Sequence, residues 1–164
     1  MRVLIFLFGL LILADPAAAQ RSSLGIFFQW GAFRDQRPPR CFAIAQPARS
    51  PKPEAWQPFA SIGYWPTRGA RGQAHFRLSR QKRPQSAVLL RIDDRTFQLV
   101  GAGADAWAPN PQADAEIVAA MRSGVQMSVE TRSVRGLRVR DHYQLRGAAT
   151  AIDAAAIACA RGPA

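Results

Sequence analysis

The stretch "SVRGLRVRDHYQLRG" (residues 133–147) carries an arginine at nearly every second position. Successive side chains of a β-strand point to opposite faces, so this alternation divides the segment into two sets. The mostly apolar set comprises Leu137, Val139, Asp141, Tyr143 and Leu145. The polar set comprises Arg138, Arg140, His142, Gln144 and Arg146. The pattern predicts a strand with one face in the core and one cationic face in solvent.

Asp141 is the one acidic residue on the predicted core face. A buried carboxylate must be hydrogen-bonded or paired, so we expect it to accept backbone N–H groups or to pair with an arginine. A general base is the alternative role. His142 is its neighbour in sequence, but the two side chains point to opposite faces of a strand and do not form a catalytic dyad.

The outer face supplies the predicted binding residues Arg138, Arg140 and Arg146, with Arg77 and Arg80 as a second patch. A guanidinium is a planar fork that matches carboxylate, phosphate or sulfate oxygens. We therefore expect an anionic envelope glycan or lipid, or a protein partner. The alternative is that these arginines only keep the surface solvated.

The chain opens with "MRVLIFLFGLLILADPAAAQ" (residues 1–20), which has a positive start, an apolar run and small residues before Gln20. This pattern predicts a signal peptide over residues 1–19 and one mature domain over residues 20–164. The apolar run of residues 3–14 would span about 18 Å as a helix, short of the roughly 20 residues that cross a bilayer, so a cleaved signal is favoured and a permanent anchor is the alternative. We expect a periplasmic or secreted protein with no transmembrane segment after cleavage.

The formal net charge is +11, and 20 of the 22 basic residues are arginine. Such a charge favours anionic partners, although solubility alone would also explain it. Nucleic acid is the weaker class of partner, because export separates the protein from it. The only cysteines, Cys41 and Cys159, are expected to form one disulfide in an exported chain.

Runs of β-branched and aromatic residues between Pro- and Gly-rich turns predict a mainly β fold. Residues 23–33 are expected to form a first strand and residues 34–40 a charged loop. In "AHFRLSR" (74–80), apolar side chains alternate with His75 and Arg77, which places that histidine on an outer face. Residues 87–93 and 95–103 are expected to pair around Asp93-Asp94, and residues 125–132 to form a hairpin with 137–145.

Two short helices are predicted, over residues 111–123 and 151–159. The first has Asn110 as N-cap and Gly124 as its stop. The second has Thr150 as N-cap and places Cys159 on its packing face.

The sequence contains no Gly-x-Ser-x-Gly, His-Glu-x-x-His or paired-cysteine metal motif, and we expect no cofactor and no catalytic site. We predict a non-enzymatic protein. The alternative is a hydrolase or lyase acting on envelope polymers, with Asp141 or His75 as acid or base.

The second half of the chain, "LRIDDRTFQLV" (90–100) and "DAWAPNPQADAEIVAAMRSGVQMSVETRSVRGLRVRDHYQLRGAATAI" (105–152), resembles the invasion-associated locus B family of exported bacterial proteins. The "WGAFRDQRPPRCFAIAQP" stretch (30–47) is similar to the start of that family. The matching positions are Asp93, Ala120, Met121, Gly124, Gly136, Tyr143, Leu145, Gly147 and Ala151. The resemblance covers about residues 25–159. It implies a sandwich-like domain of antiparallel sheets, associated with host-cell invasion in some bacteria, and no catalytic residues.

Overall fold

A computed structural model describes residues 21–52 and 55–160, so the predicted signal peptide lies outside the described residues. Strands and helices follow the periodicity of their side chains. The strands are β1 Arg21–Phe27, β2 Trp30–Gln36, β3 Pro39–Ala45, β4 Phe59–Trp65, β5 Ala70–Arg77, β6 Val88–Ile92, β7 Arg95–Ala102, β8 Asp105–Trp107, β9 Gln126–Arg132 and β10 Arg138–Gln144. The helices are α1 Pro111–Ser123 and α2 Ala148–Ala160. Neither helix is long and apolar enough to cross a membrane.

The ten strands form one antiparallel sheet in the order β1-β2-β3-β4-β5-β8-β7-β6-β9-β10. The sheet is not closed by strand pairing, and its inward faces, with α1 and α2, enclose one apolar core. The segment after β3 covers the outer edge of β10: the N–H of Ala48 donates to the carbonyl of His142, and the N–H of His142 donates to the carbonyl of Arg49, both at 2.7 Å. The predicted mainly β, sandwich-like class with two helices is confirmed.

The β9–β10 hairpin confirms the alternation of the 133–147 stretch. Val139, Asp141, Tyr143 and Leu145 are all buried. Leu137, however, is 55% exposed, so its predicted place on the core face is wrong. Strand pairing starts only at Arg138, opposite Arg132, and a side chain in the preceding turn is not held by the pleat.

Helix α1 has the predicted bounds. The Asn110 side chain accepts a hydrogen bond from the N–H of Ala113 at 2.8 Å, and the helix stops at Gly124. Helix α2 starts at Ala148, three residues before the predicted start, so Thr150 lies inside its first turn and is not the N-cap. The helix starts early because the chain turns at Gly147, where φ is +92°.

The structure also corrects the start of the fold. The predicted strand 23–33 is two strands, β1 and β2, joined by a turn at Phe28 and Gln29. The predicted charged loop contains the end of β2 and the start of β3, which pair up to Gln36 opposite Pro39. Neither turn residue is glycine, and a turn with Phe28 at φ +57° has no composition signal in the sequence.

Candidate anion-binding face

The outer surface of β6, β9 and β10 brings together arginines from strands that are distant in sequence. In the pairing of these three strands, Arg140 lies opposite Glu130, while Ser128 has His142 on one side and Arg91 on the other. Because β9 is the middle strand, guanidinium groups from both neighbours flank its single carboxylate. We call the surface formed by Arg49, Arg91, Arg138, Arg140 and His142 the arginine face.

Three donors converge on one oxygen of Glu130. Oε1 lies 2.8 Å from Nη2 of Arg140 and 3.4 Å from Nε of Arg91, and it accepts the hydroxyl of Ser128 at 3.1 Å. Partial burial acts to raise the pKa of Glu130, but the hydrogen bonds from Arg140 and Ser128 and the charges of the two arginines outweigh it and hold the pKa below its usual range. The protein thus already places an anionic oxygen between two guanidinium groups.

The arginine face carries two shallow depressions. A depression of about 280 Å³ is lined by Arg91, Asp93, Gln126, Met127, Ser128, Glu130, Arg140 and His142. A second, of about 400 Å³, is lined by Arg49, Ser50, Pro51, Arg138, Arg140 and His142. Arg140 and His142 line both, so the two depressions form one continuous surface.

Positive charge on this surface exceeds negative charge. Arg49 and Arg138 are exposed, and neither forms an ion pair within the part of the chain that the structure describes. Asp93, at the rim, accepts hydrogen bonds from the backbone N–H groups of Val125 and Gln126. The surface therefore holds four guanidinium groups and two carboxylates. One of the two carboxylates, that of Asp93, already accepts hydrogen bonds from the backbone.

The predicted binding residues separate in the structure. Arg138 and Arg140 lie on the arginine face, whereas Arg146 follows the end of β10, with its guanidinium carbon 3.9 Å from the centroid of the Phe28 ring. Arg77, on β5, lies near Asp105 at 3.9 Å and over the ring of Trp56. Arg80 lies half-buried in the segment after β5.

The sequence interpretation missed Arg49, Arg91 and Glu130. The alternation in residues 125–132 places Glu130 on the polar face of β9, and the hairpin turn at Gly136 carries enough information to align it with Arg140. Arg91 depends on the non-local pairing of β6 with β9, and Arg49 on a contact between a loop and an edge strand. No local signal indicates either contact.

His75 is on the outer face of β5, as predicted, but it has a partner that the sequence did not indicate. Its Nε2 lies 2.9 Å from Oδ1 of Asp105, its ring stacks on Trp107 at 5.0 Å, and Phe59 packs edge-on against it. Asp105 and Trp107 belong to β8, a strand too short to be predicted. Among the described residues, no group of three or more His, Cys, Asp or Glu side chains could hold a metal ion.

Asp141 is fully buried, and one carboxylate oxygen accepts the backbone N–H of Ser79 at 2.9 Å. Burial raises the pKa of Asp141 above its usual range, and hydrogen bonding from Ser79 opposes this only in part. The carboxylate lies below the arginine face and not on it, because β10 turns residues 139, 141 and 143 inward. A side chain so enclosed cannot reach a polymeric substrate in this structure.

The structure joins Cys41, on β3, to Cys159, near the end of α2, with an S–S distance of 2.09 Å and a Cα–Cα distance of 5.7 Å. The bridge holds α2 against the sheet strands β1 to β4, on which the helix packs. Ala148, Ala151, Ile152 and Ala155 form the buried side of the helix.

No family model and no curated protein matches the chain. Among solved structures, the crystal structure of invasion associated protein B from Bartonella henselae is similar, with a TM-score of 0.60 and 16% sequence identity. The match covers 85% of this chain and 99% of that one. At this identity the similarity shows a shared fold and no more.

Proposed function

We propose that this is an exported, non-enzymatic envelope protein, and that its arginine face binds an anionic partner carrying phosphate, sulfate or carboxylate groups. The observation that carries the proposal is the convergence of Arg91 and Arg140 on Glu130 at 3.4 and 2.8 Å, beside Arg49 and Arg138, which form no ion pair with any described residue. An external anion would meet guanidinium groups that the strands already hold in place, which reduces the cost of ordering them.

Export is supported by two independent features. The first 19 residues have the pattern of a signal peptide, and the Cys41–Cys159 disulfide is of the kind that persists in oxidising compartments. If residues 20–164 are the mature domain, mass spectrometry of the exported protein will show an N-terminus at Gln20. Retention of residues 1–19 in the exported protein would contradict this division.

A role at the host surface is supported by the fold of invasion associated protein B. An anion-binding face would suit such a role, because cell surfaces present acidic and sulfated polymers. Binding of this kind does not depend on whether the anionic partner belongs to the bacterium or to a host.

The test is binding to dextran sulfate at two salt concentrations, with Arg138→Gln/Arg140→Gln compared with Arg68→Gln/Arg71→Gln. Both double variants lower the net charge by the same amount, and Arg68, in the turn between β4 and β5, and Arg71, on β5, are both exposed. We expect the first pair to weaken binding about tenfold at low salt and the control pair to weaken it much less. Equal losses would mean that only total charge matters, and the arginine face would be rejected.

A hydrolase or lyase activity on envelope polymers is favoured by one observation, the His75–Asp105 pair at 2.9 Å. Against it, the imidazole is enclosed by Trp107 and Phe59, and neither member of the pair lines the depressions described above. His75→Gln keeps the size and polarity of the side chain. If the protein degrades an envelope polymer and this variant does not, the non-enzymatic proposal is wrong.

A further inference from the structure

The tip of the first hairpin exposes a continuous apolar surface. Ile26 is 65% exposed and Phe28 is 63% exposed, although both belong to residue types that normally lie inside a domain. They border a groove of about 460 Å³ whose apolar lining also includes Phe33, Ile44 and Pro47. We call this surface the hairpin groove.

The backbone at Phe28 is also unusual. This residue is the first of the two turn residues between Phe27 and Trp30, and its φ of +57° is a conformation that glycine or asparagine adopts at much lower cost. Because most of the Phe28 ring is exposed, burial of its apolar surface contributes little free energy to offset the backbone strain. Strain that folding does not explain is an indication of function.

Cations rim the hairpin groove. The guanidinium of Arg146 lies over the Phe28 ring at 3.9 Å. Ala48 lines the groove and donates its N–H to the carbonyl of His142 on β10, so the groove adjoins the arginine face at Arg49. An apolar surface bordered by arginines matches an anionic bilayer, in which acyl chains lie directly below phosphates.

We propose that the hairpin groove docks on anionic phospholipid: Phe28 and Ile26 enter the acyl boundary, and Arg146 binds a headgroup phosphate. The net charge of +11 would strengthen the approach to such a surface. If the arginine face contacts headgroups as well, then anionic phospholipid is the partner of the proposed function, and this part of the inference rests on that function. The insertion of the hairpin tip is a separate claim with its own test.

The test is co-sedimentation of the purified, disulfide-bonded protein with vesicles of phosphatidylcholine, either alone or mixed with phosphatidylglycerol. We expect binding only to the mixed vesicles, and we expect Ile26→Ser/Phe28→Ser to weaken it about tenfold or more. The matched control is Val100→Ser/Ile157→Ser, which removes two apolar side chains that are about half exposed elsewhere, at 52% and 50%. This control should bind like the wild type.

Dextran sulfate separates this inference from the proposed function, since it offers charge without acyl chains. The hairpin variant should bind it normally, whereas Arg138→Gln/Arg140→Gln should not. Vesicle binding that survives Ile26→Ser/Phe28→Ser would overturn the lipid inference and leave the arginine face standing. Equal binding to neutral and anionic vesicles, or a dimer that these two substitutions dissociate, would overturn it as well.

Discussion

Gly147 is the residue where a single methyl group should be most damaging. Its φ is +92°, and a Cβ built there would lie 2.0 Å from the carbonyl oxygen of Phe27, which is backbone and cannot move aside cheaply. Gly103 has a similar left-handed conformation, with φ +60°, but open space around it. Comparing the same substitution at the two positions therefore distinguishes the effect of a steric clash from that of backbone strain.

We expect Gly103→Ala to lower the free energy of unfolding by about 1 kcal/mol, from strain alone. Gly147→Ala should lower it by more than about 2 kcal/mol, because the first hairpin and the start of α2 would have to move apart. Urea unfolding of both variants measures the difference. Equal losses would show that the contact between Gly147 and Phe27 is not as close as described.

The pKa of Asp141 predicts the direction in which the stability of the fold changes with pH. Burial raises the folded-state pKa of Asp141 above its ordinary value of 3.8, so the folded protein holds the proton more tightly than the unfolded chain does. This residue therefore favours folding at low pH, and that contribution is lost as pH rises from 3.8 through the folded pKa.

Asn cannot ionise, so the stability of Asp141→Asn relative to the wild type should increase as pH rises above 3.8 and through the folded-state pKa of Asp141. The difference in unfolding free energy between the two proteins, measured by urea unfolding across this range, tests the expectation. A difference that does not change with pH would mean that Asp141 titrates alike in the folded and unfolded chains.

At the scale of strands, Glu130 competes with any ligand of the arginine face for the guanidinium groups of Arg91 and Arg140. Its carboxylate forms ion pairs with Arg91 and Arg140, and both pairs exist only because β6, β9 and β10 are aligned as they are. Glu130→Gln would remove one negative charge and release both guanidinium groups. We expect binding to dextran sulfate to strengthen about fivefold, the equivalent of about 1 kcal/mol.

The control for this prediction is Glu116→Gln, which makes the same change on the exposed surface of α1. If only net charge matters, both variants will bind alike. Weaker binding by Glu130→Gln would show instead that this carboxylate positions the arginines for the ligand and does not compete with it.

Elements differ in how much of them the sequence predicts. Helix α1 was placed correctly because Asn110, Pro111 and Gly124 act within the helix itself. Helix α2 was placed three residues late, because its start depends on the approach of Gly147 to another hairpin. Strand β8 was missed, and with it the Asp105 partner of His75, because three residues carry too little periodicity to identify a strand.

At the scale of the whole molecule, the disulfide closes a sequence separation of 118 residues. In the loop-entropy model, such a closure destabilises the unfolded chain by about 5 kcal/mol, an upper value. We expect Cys41→Ala/Cys159→Ala to lower the free energy of unfolding by several kcal/mol, measured by urea unfolding without reductant. Since the bridge constrains the unfolded chain, the loss should be similar at low and high salt.

A small loss, below about 1 kcal/mol, would indicate that α2 stays docked through its own packing and that the unfolded chain is already compact. The reduced wild-type protein is the second measurement. It should match the double variant, because both lack the same covalent closure.

The sequence by itself determined the mainly β class, the helix at residues 111–123, the hairpin between residues 125–132 and 137–145, and the side of β10 that each residue faces. These features depend on period-two or helical spacing and on turns within a few residues. Only the tertiary structure decided that Arg91 reaches Glu130, that Arg49 lies beside His142, that Arg146 covers Phe28, and that Asp105 pairs with His75. Each of these contacts joins residues that are separated by a long stretch of chain. The order of strands in the sheet sets which of these residues meet, and no local spacing encodes that order.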